Sequence, residues 1–187
     1  MVAFKSRHDL DKVVLDNPGG LRIELLTNGV LFGIYHDQVM INQFLGYPLE
    51  GNIQNIYLRV HQDGRYIFTS LMGPLSSSGF RYYSNSALWY GIFQEITYQC
   101  RLIIHPEEPI WFWNLTLNNT SSSEADIDVI YVQDIGLSHE STIRLNEAYC
   151  SQYVDHTVLQ HPQYGYALCA RQNQPCDGKL LGCYKVL

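Results

Sequence analysis

"LRIELLTNGVLFGIYH", residues 21–36, decides the fold class. Two runs rich in Leu, Ile, Val and Phe stand on either side of Thr27-Asn28-Gly29, and Asn-Gly is the dipeptide that best tolerates the positive φ of a two-residue hairpin turn. The stretch therefore predicts two strands, over 21–26 and 30–36, joined by a tight turn. The same pattern recurs where "NIYLRVH" (55–61) and "RYIFTSL" (65–71) flank "QDG", with Asp63-Gly64 at the turn. In "IWFWNLTLNN" (110–119) the period is two: Trp111, Trp113, Leu115 and Leu117 share one face, and Phe112, Asn114 and Thr116 the other. After the polar turn "TSSSEA", "DIDVIYVQD" (126–134) sets Ile127, Val129 and Tyr131 against Asp128, Ile130 and Val132.

"ALWYGIFQEITYQCRLIIH" (87–105) is long for one strand and is expected to bend or bulge near Gly91 and Phe93. Apolar stripes at helical spacing, with caps, are absent. Many short strands between turn signals predict an all-β chain, an antiparallel sandwich in one domain over residues 1–187. "DNPGG" (16–20) and "GPLSSSG" (73–79) read as surface turns, and Pro106-Glu107-Glu108-Pro109 as a solvated hairpin turn. "KLLGCYKVL" (179–187) reads as an unfinished strand, which suggests a cut inside a longer protein.

Composition narrows the function classes. A chain of 187 residues can bury roughly 70% of its unfolded surface. Net charge is -6 and the 12 Lys and Arg are scattered singly, so no basic stripe exists to neutralise phosphates; neither nucleic acid nor membrane is an expected partner. No apolar run approaches the ~20 residues of a membrane span, and "MVAFKSRHDLDK" lacks a signal-peptide core, so a cytoplasmic location is expected. Five cysteines, an odd number in a chain large enough to hold itself together, fit reduced thiols. Cys169, Cys176 and Cys183 are too widely spaced for the close pairs that zinc prefers, and no metal is expected. The hydrolase elbow G-x-S-x-G, the phosphate loop and the dinucleotide fingerprint are all missing, so nucleophilic catalysis has no anchor in this chain and no cofactor is expected.

Polar and aromatic side chains concentrate in "QDIGLSHESTIRLNEAYCSQYVDH" (133–156), in a chain whose charged residues amount to only 16%. Sugar sites combine planar hydrogen-bonding groups with aromatic faces, and this stretch has both. The plain structural reading is that Gln133 and Asp134 end a strand, Gly136 turns the chain, and Arg144 pairs with Glu147 or Asp155 on the surface. "RLNEAYCSQYVDH" (144–156) reads as a loop entering a strand, with Tyr149, Ser151 and Tyr153 on one face and Cys150, Gln152 and Val154 on the other. Asp134, Glu140, Glu147 and Asp155 are acids of the kind used in sugar chemistry, but their spacing pairs none of them.

The pieces "WFWNLTLNN", "YVQDIGL", "NEAYCSQYVDH" and "ARQNQ" (170–174) resemble the N-terminal β-sandwich of glycoside hydrolase family 94, formerly glycosyltransferase family 36. These are inverting disaccharide and oligosaccharide phosphorylases. Within the family the resemblance is to the 1,2-β-oligoglucan phosphorylases and the phosphorylase part of cyclic β-1,2-glucan synthases. It covers about residues 55–187 well, and "NEAYCSQYVDH" after "QDIGL" is its most specific part.

The resemblance implies an incomplete, galactose-mutarotase-like β-supersandwich of two large packed sheets, followed in the family by a helical linker and a catalytic (α/α)6 barrel that this chain does not hold. It implies β-glucan and inorganic phosphate as partners of the whole enzyme, and a homodimer in which the sandwich of one subunit reaches the active-site mouth of the other. On that basis Gln133, Asp134, Arg144, Asn146, Glu147, Tyr149, Gln152, Tyr153 and His156 are the candidate substrate-side residues. The other readings are a free-standing carbohydrate-binding sandwich and a purely structural dimerisation module.

Overall fold

A computed structural model describes residues 11–62, 64–163, 165–176, 179–180 and 184–186. The strands are, in order, β1 (Lys12–Asp16), β2 (Leu21–Leu26), β3 (Leu31–His36), β4 (Val39–Met40), β5 (Asn55–Gln62), β6 (Arg65–Ser70), β7 (Gly79–Tyr82), β8 (Ser86–Phe93), β9 (Ile96–Ile104), β10 (Trp111–Asn119), β11 (Asp126–Val132) and β12 (Ser138–His139). Two short helices follow, α1 (Glu140–Leu145) and α2 (Glu147–Ser151). The chain continues as β13 (Val154–His161), β14 (Gly165–Gln172), β15 (Pro175–Cys176), β16 (Lys179–Leu180) and β17 (Tyr184–Val186). All the pairings are antiparallel, and the expected all-β class is what is found. Among the described residues no helix is long and apolar enough to cross a membrane.

The chain divides into two compact units, residues 1–34 with 45–133, and residues 35–44 with 134–187. In the first, β10-β9-β8-β7 form a four-stranded sheet and β11-β5-β6 a three-stranded one, while β1 and β2 lead into β3. Strand alternation builds the core: Ile96, Tyr98, Cys100, Leu102 and Ile104 of β9 are buried, and Thr97, Gln99, Arg101 and Ile103 between them are not. Trp89 is 1% exposed and its indole N–H donates to the Gly29 carbonyl at 2.9 Å. Gly29 sits at φ 80, so the Asn28-Gly29 turn forms as the sequence predicts, and a Cβ there would stand 2.7 Å from the Trp89 Nε1. Burial pushes the Cys100 thiol up to about 12.

The turn after β5 also forms, with Gly64 at φ 73; Asp63 lies outside the described residues. The turn at Glu107 and Glu108 is held by His105, whose Nδ1 accepts from both backbone N–H groups, and by the Asn17 side chain, which donates to the His105 and Glu108 carbonyls. One expectation is corrected. The stretch 87–105 neither bends nor bulges at Gly91 and Phe93; it is a hairpin that reverses at Gln94 (φ 48) and Glu95 (φ 61). Two consecutive positive φ values mark the tight turn that matches sheet twist, here built without glycine. Thr120 steadies it, donating from its backbone N–H and its hydroxyl to the Glu95 carbonyl at 2.9 and 2.6 Å.

In the second unit, Tyr35 and His36 at the end of β3 pair with Met40 and Val39 of β4, which pairs in turn with β12. A second sheet has the order β13-β14-β17. Cys100, Cys150 and Cys169 are free and buried. The side chains of Cys176 and Cys183 lie outside the described residues.

Candidate functional site

Gln133 follows directly on β11. Its Oε1 accepts from the Tyr131 hydroxyl at 2.5 Å, and that hydroxyl accepts from the Gln54 Nε2 at 3.0 Å. Aromatic rings back this chain: Tyr131 lies 6.3 Å from Trp113, and Trp113 lies 5.6 Å from Trp89. Three buried side-chain atoms here have no partner among the described residues: Gln54 Oε1, Gln133 Nε2 and the Trp113 indole nitrogen. Buried polar atoms are nearly always satisfied, so one acceptor and two donors beside an aromatic stack mark open capacity for water or hydroxyl groups.

Asp134 has a different task. One carboxylate oxygen accepts from the backbone N–H of Gln43 at 2.7 Å and of Phe44 at 2.6 Å, which ties residues 41–44 to the start of the long C-terminal segment. The other oxygen, Oδ1, is buried without a partner among the described residues. Burial raises the Asp134 carboxyl above its ordinary range, and the backbone donors pull the other way.

The stretch 144–156 departs from the expected loop and strand. It enters as α1, joins α2 at Asn146, whose φ of -156 and ψ of 84 break the helix, and becomes a strand only at Val154. Helical spacing replaces the expected two-faced alternation. Tyr149 and Tyr153, four residues apart, meet edge to face at 5.0 Å with their hydroxyls 2.9 Å apart, while Cys150 is buried. The hydrogen bond to Tyr149 raises the Tyr153 phenol.

Arg144 places Nε and Nη2 at 2.7 and 2.6 Å from the Glu140 Oε1, one turn back, a partner not anticipated. Asp155, considered as its partner, instead accepts from the Asn173 Nδ2 at 2.5 Å. Gln152 caps α2 and is exposed, and His156 is exposed on β13 opposite Ala170. The side chain of Glu147 lies outside the described residues.

Gln172 is the residue that sequence reasoning missed. It is 1% exposed; its Nε2 donates to the carbonyls of Gly136 (2.9 Å) and Cys150 (3.0 Å), and its Oε1 accepts from the Gln174 N–H at 3.0 Å. One side chain thus joins the turn after Asp134, the end of α2 and β14. Nothing local in "ARQNQ" sets it apart from its polar neighbours Arg171, Asn173 and Gln174.

The profile of the SOGP N-terminal domain family matches residues 24–181. A 1,2-beta-oligoglucan phosphorylase of Listeria innocua serovar 6a is 30% identical over 148 residues, covering 79% of this chain and 13% of that relative. The chain therefore spans about an eighth of the length of the curated relative it matches. The match takes in the hairpins, the Trp113–Tyr131 stack and the segment 133–156, and the chain belongs to the SOGP N-terminal domain family.

Proposed function

We propose that this chain is the N-terminal part of an inverting glucan phosphorylase and that it supports a catalytic (α/α)6 barrel carried elsewhere in the whole protein. The observation that carries this is family membership, together with similarity to a relative named 1,2-beta-oligoglucan phosphorylase. In the proposed reaction inorganic phosphate attacks the anomeric carbon of a β-1,2-linked glucan. The glycosidic oxygen leaves with a proton from a general acid on the barrel, and α-glucose 1-phosphate is released. No step is assigned to a residue of this chain, and no cofactor is invoked. The test is to incubate the whole protein with β-1,2-oligoglucan and phosphate. Release of glucose 1-phosphate is expected, and none at any enzyme concentration overturns the reading.

Within that enzyme the chain would contribute to a homodimer and to the substrate rim through members of the set Gln133, Asp134, Arg144, Asn146, Glu147, Tyr149, Gln152, Tyr153 and His156. The exposed Tyr149–Tyr153 pair offers aromatic surface, and the Gln133 amide nitrogen has no partner among the described residues. In the whole enzyme, Tyr149→Ala is expected to raise KM for the glucan severalfold with little change in kcat. An unchanged KM removes the pair from the rim.

The Arg144–Glu140 and Asp134–backbone bonds favour a second reading, in which this segment is a structural and dimerisation element that touches no sugar. A double substitution at Arg144 and Glu140 that lowers thermal stability and leaves both kinetic constants intact would support it.

A further inference from the structure

We propose that the outward face of the β7–β10 sheet holds a second ligand site, a groove for a neutral oligosaccharide built from none of residues 133–156. The face carries two successive cross-strand rows. Thr116, Gln99, Tyr90 and Gly79 lie opposite one another across all four strands, and Asn118, Thr97 and Ile92 form the next row two residues along. Positions two apart on a strand share a face, so both rows point the same way, and four strands span roughly 14 Å. The groove over them has a volume of about 550 Å³, within the range of small-molecule sites.

Its chemistry selects the ligand class. None of the side chains lining it carries a charge. Arg81 and Arg101 stand one row away on the same face, outside the lining, and within it the hydroxyl groups of a ligand would meet the amides of Gln99 and Asn118 and the hydroxyls of Thr97 and Thr116. Amides donate and accept at once, which suits vicinal hydroxyls. The aromatic wall is built in. A Cβ at Gly79 would stand 2.5 Å from the Tyr90 Cζ, so the bare glycine lets the ring lie across β7, and the Arg81 guanidinium 5.1 Å from its centroid holds it there. Below, Tyr98 is buried, and its hydroxyl is 2.7 Å from the Ser78 Oγ. An aromatic wall beside neutral hydrogen-bonding groups is the surface that a sugar ring, apolar on its C–H face and polar at its rim, fits.

The proposal rests on this lining and not on phosphorolysis, and its test separates the two. Residues 1–187 are titrated by calorimetry with short β-1,2-glucan, cellopentaose and maltopentaose, and the same titration is run on Gln99→Ala/Asn118→Ala and on Tyr90→Ala. At least one sugar should bind, about tenfold more weakly to the double variant, which removes two hydrogen-bonding amides. Thermal melts should match the parent, since both amides are at the surface. Binding of none of the three sugars at millimolar concentration overturns the proposal. So does binding that is undiminished in both variants, which would put the ligand elsewhere. If the unsubstituted whole protein releases no glucose 1-phosphate, the phosphorolysis reading falls and the groove, read by binding, stands; in an active enzyme the double variant should still turn over a short substrate, and its failure to do so would count against a groove apart from the reaction.

Discussion

Asp134 carries a structural load whatever else it does. Its carboxylate satisfies two consecutive backbone N–H groups. Asp134→Ala leaves both donors without a partner and is expected to destabilise the protein by about 2 kcal/mol, seen as a lower melting temperature. Asp134→Asn keeps an oxygen for those donors and removes the buried charge. Because folding raises the Asp134 pKa, the carboxyl's contribution is fully present below its unfolded value and is lost as pH rises through the folded one. The Asn variant, which has no such dependence, should therefore gain on the parent as pH goes from about 4 to 7. A melting-temperature difference that shrinks over that range would contradict the assignment. Gln172→Ala should be harsher than most surface changes, since the Gly136 and Cys150 carbonyls and the Gln174 N–H lose their partner together. Neither role was legible in the sequence, because the donors to Asp134 lie 91 and 90 residues away and the carbonyls bound by Gln172 lie 36 and 22 away. Local pattern carries no information about such partners.

Strands were legible where a strong turn or a clean alternation marked them. Asn28-Gly29 located β2 and β3, the Trp111 to Leu117 alternation located β10, and the structure reproduces both. The hairpin at Gln94 and Glu95 was missed because neither residue is a usual occupant of positive φ, so nothing punctuated the run from 87 to 105. That miss predicts a gain. Replacing Gln94 with Asn and Glu95 with Gly relieves two strained positions, while the Glu95 carbonyl remains for Thr120. The double variant should be stabilised by about 0.5–1 kcal/mol in thermal or urea unfolding. A loss of stability would mean that the Gln94 and Glu95 side chains do more than tolerate the turn. α1 and α2 escaped for another reason: helices of 6 and 5 residues are too short to show a repeating stripe. Isolated helices of that length are unstable, so these two depend on packing that buries Ile143 and Cys150. The family signature at 144–156 was readable as a signature, but its geometry was not.

Two strand edges bear on how the chain is expected to behave in solution. Among the described residues, β6 ends the order β11-β5-β6 and β13 ends the order β13-β14-β17, each with one side of its backbone ladder unpaired within its sheet. Both are also apolar where they meet solvent: Tyr66 and Phe68 on β6 are 61% and 67% exposed, and Val158 and Leu159 on β13 are 64% and 49% exposed. Val158 and Leu159 are consecutive, so β13 presents apolar surface on both faces. Unpaired edges with exposed apolar side chains are sites at which chains add to one another unless charge or a covering element prevents it. Arg59, paired with Asp128 at 2.6 Å and 4.6 Å from the Tyr66 ring, supplies charge next to β6. On β13 the run from Thr157 to Gln160 carries none, Asp155 standing three residues before Val158. Residues 1–187 are therefore expected to self-associate through β13 in a concentration-dependent way, read by light scattering as a mass above one chain. Val158→Lys should shift that equilibrium toward the monomer more than Phe68→Lys, because a lysine on an unguarded edge adds a repulsion that the β6 edge already has in part. A monomer at high concentration in the parent chain, or an equal response to the two substitutions, would show that β13 is not the edge through which the chains meet.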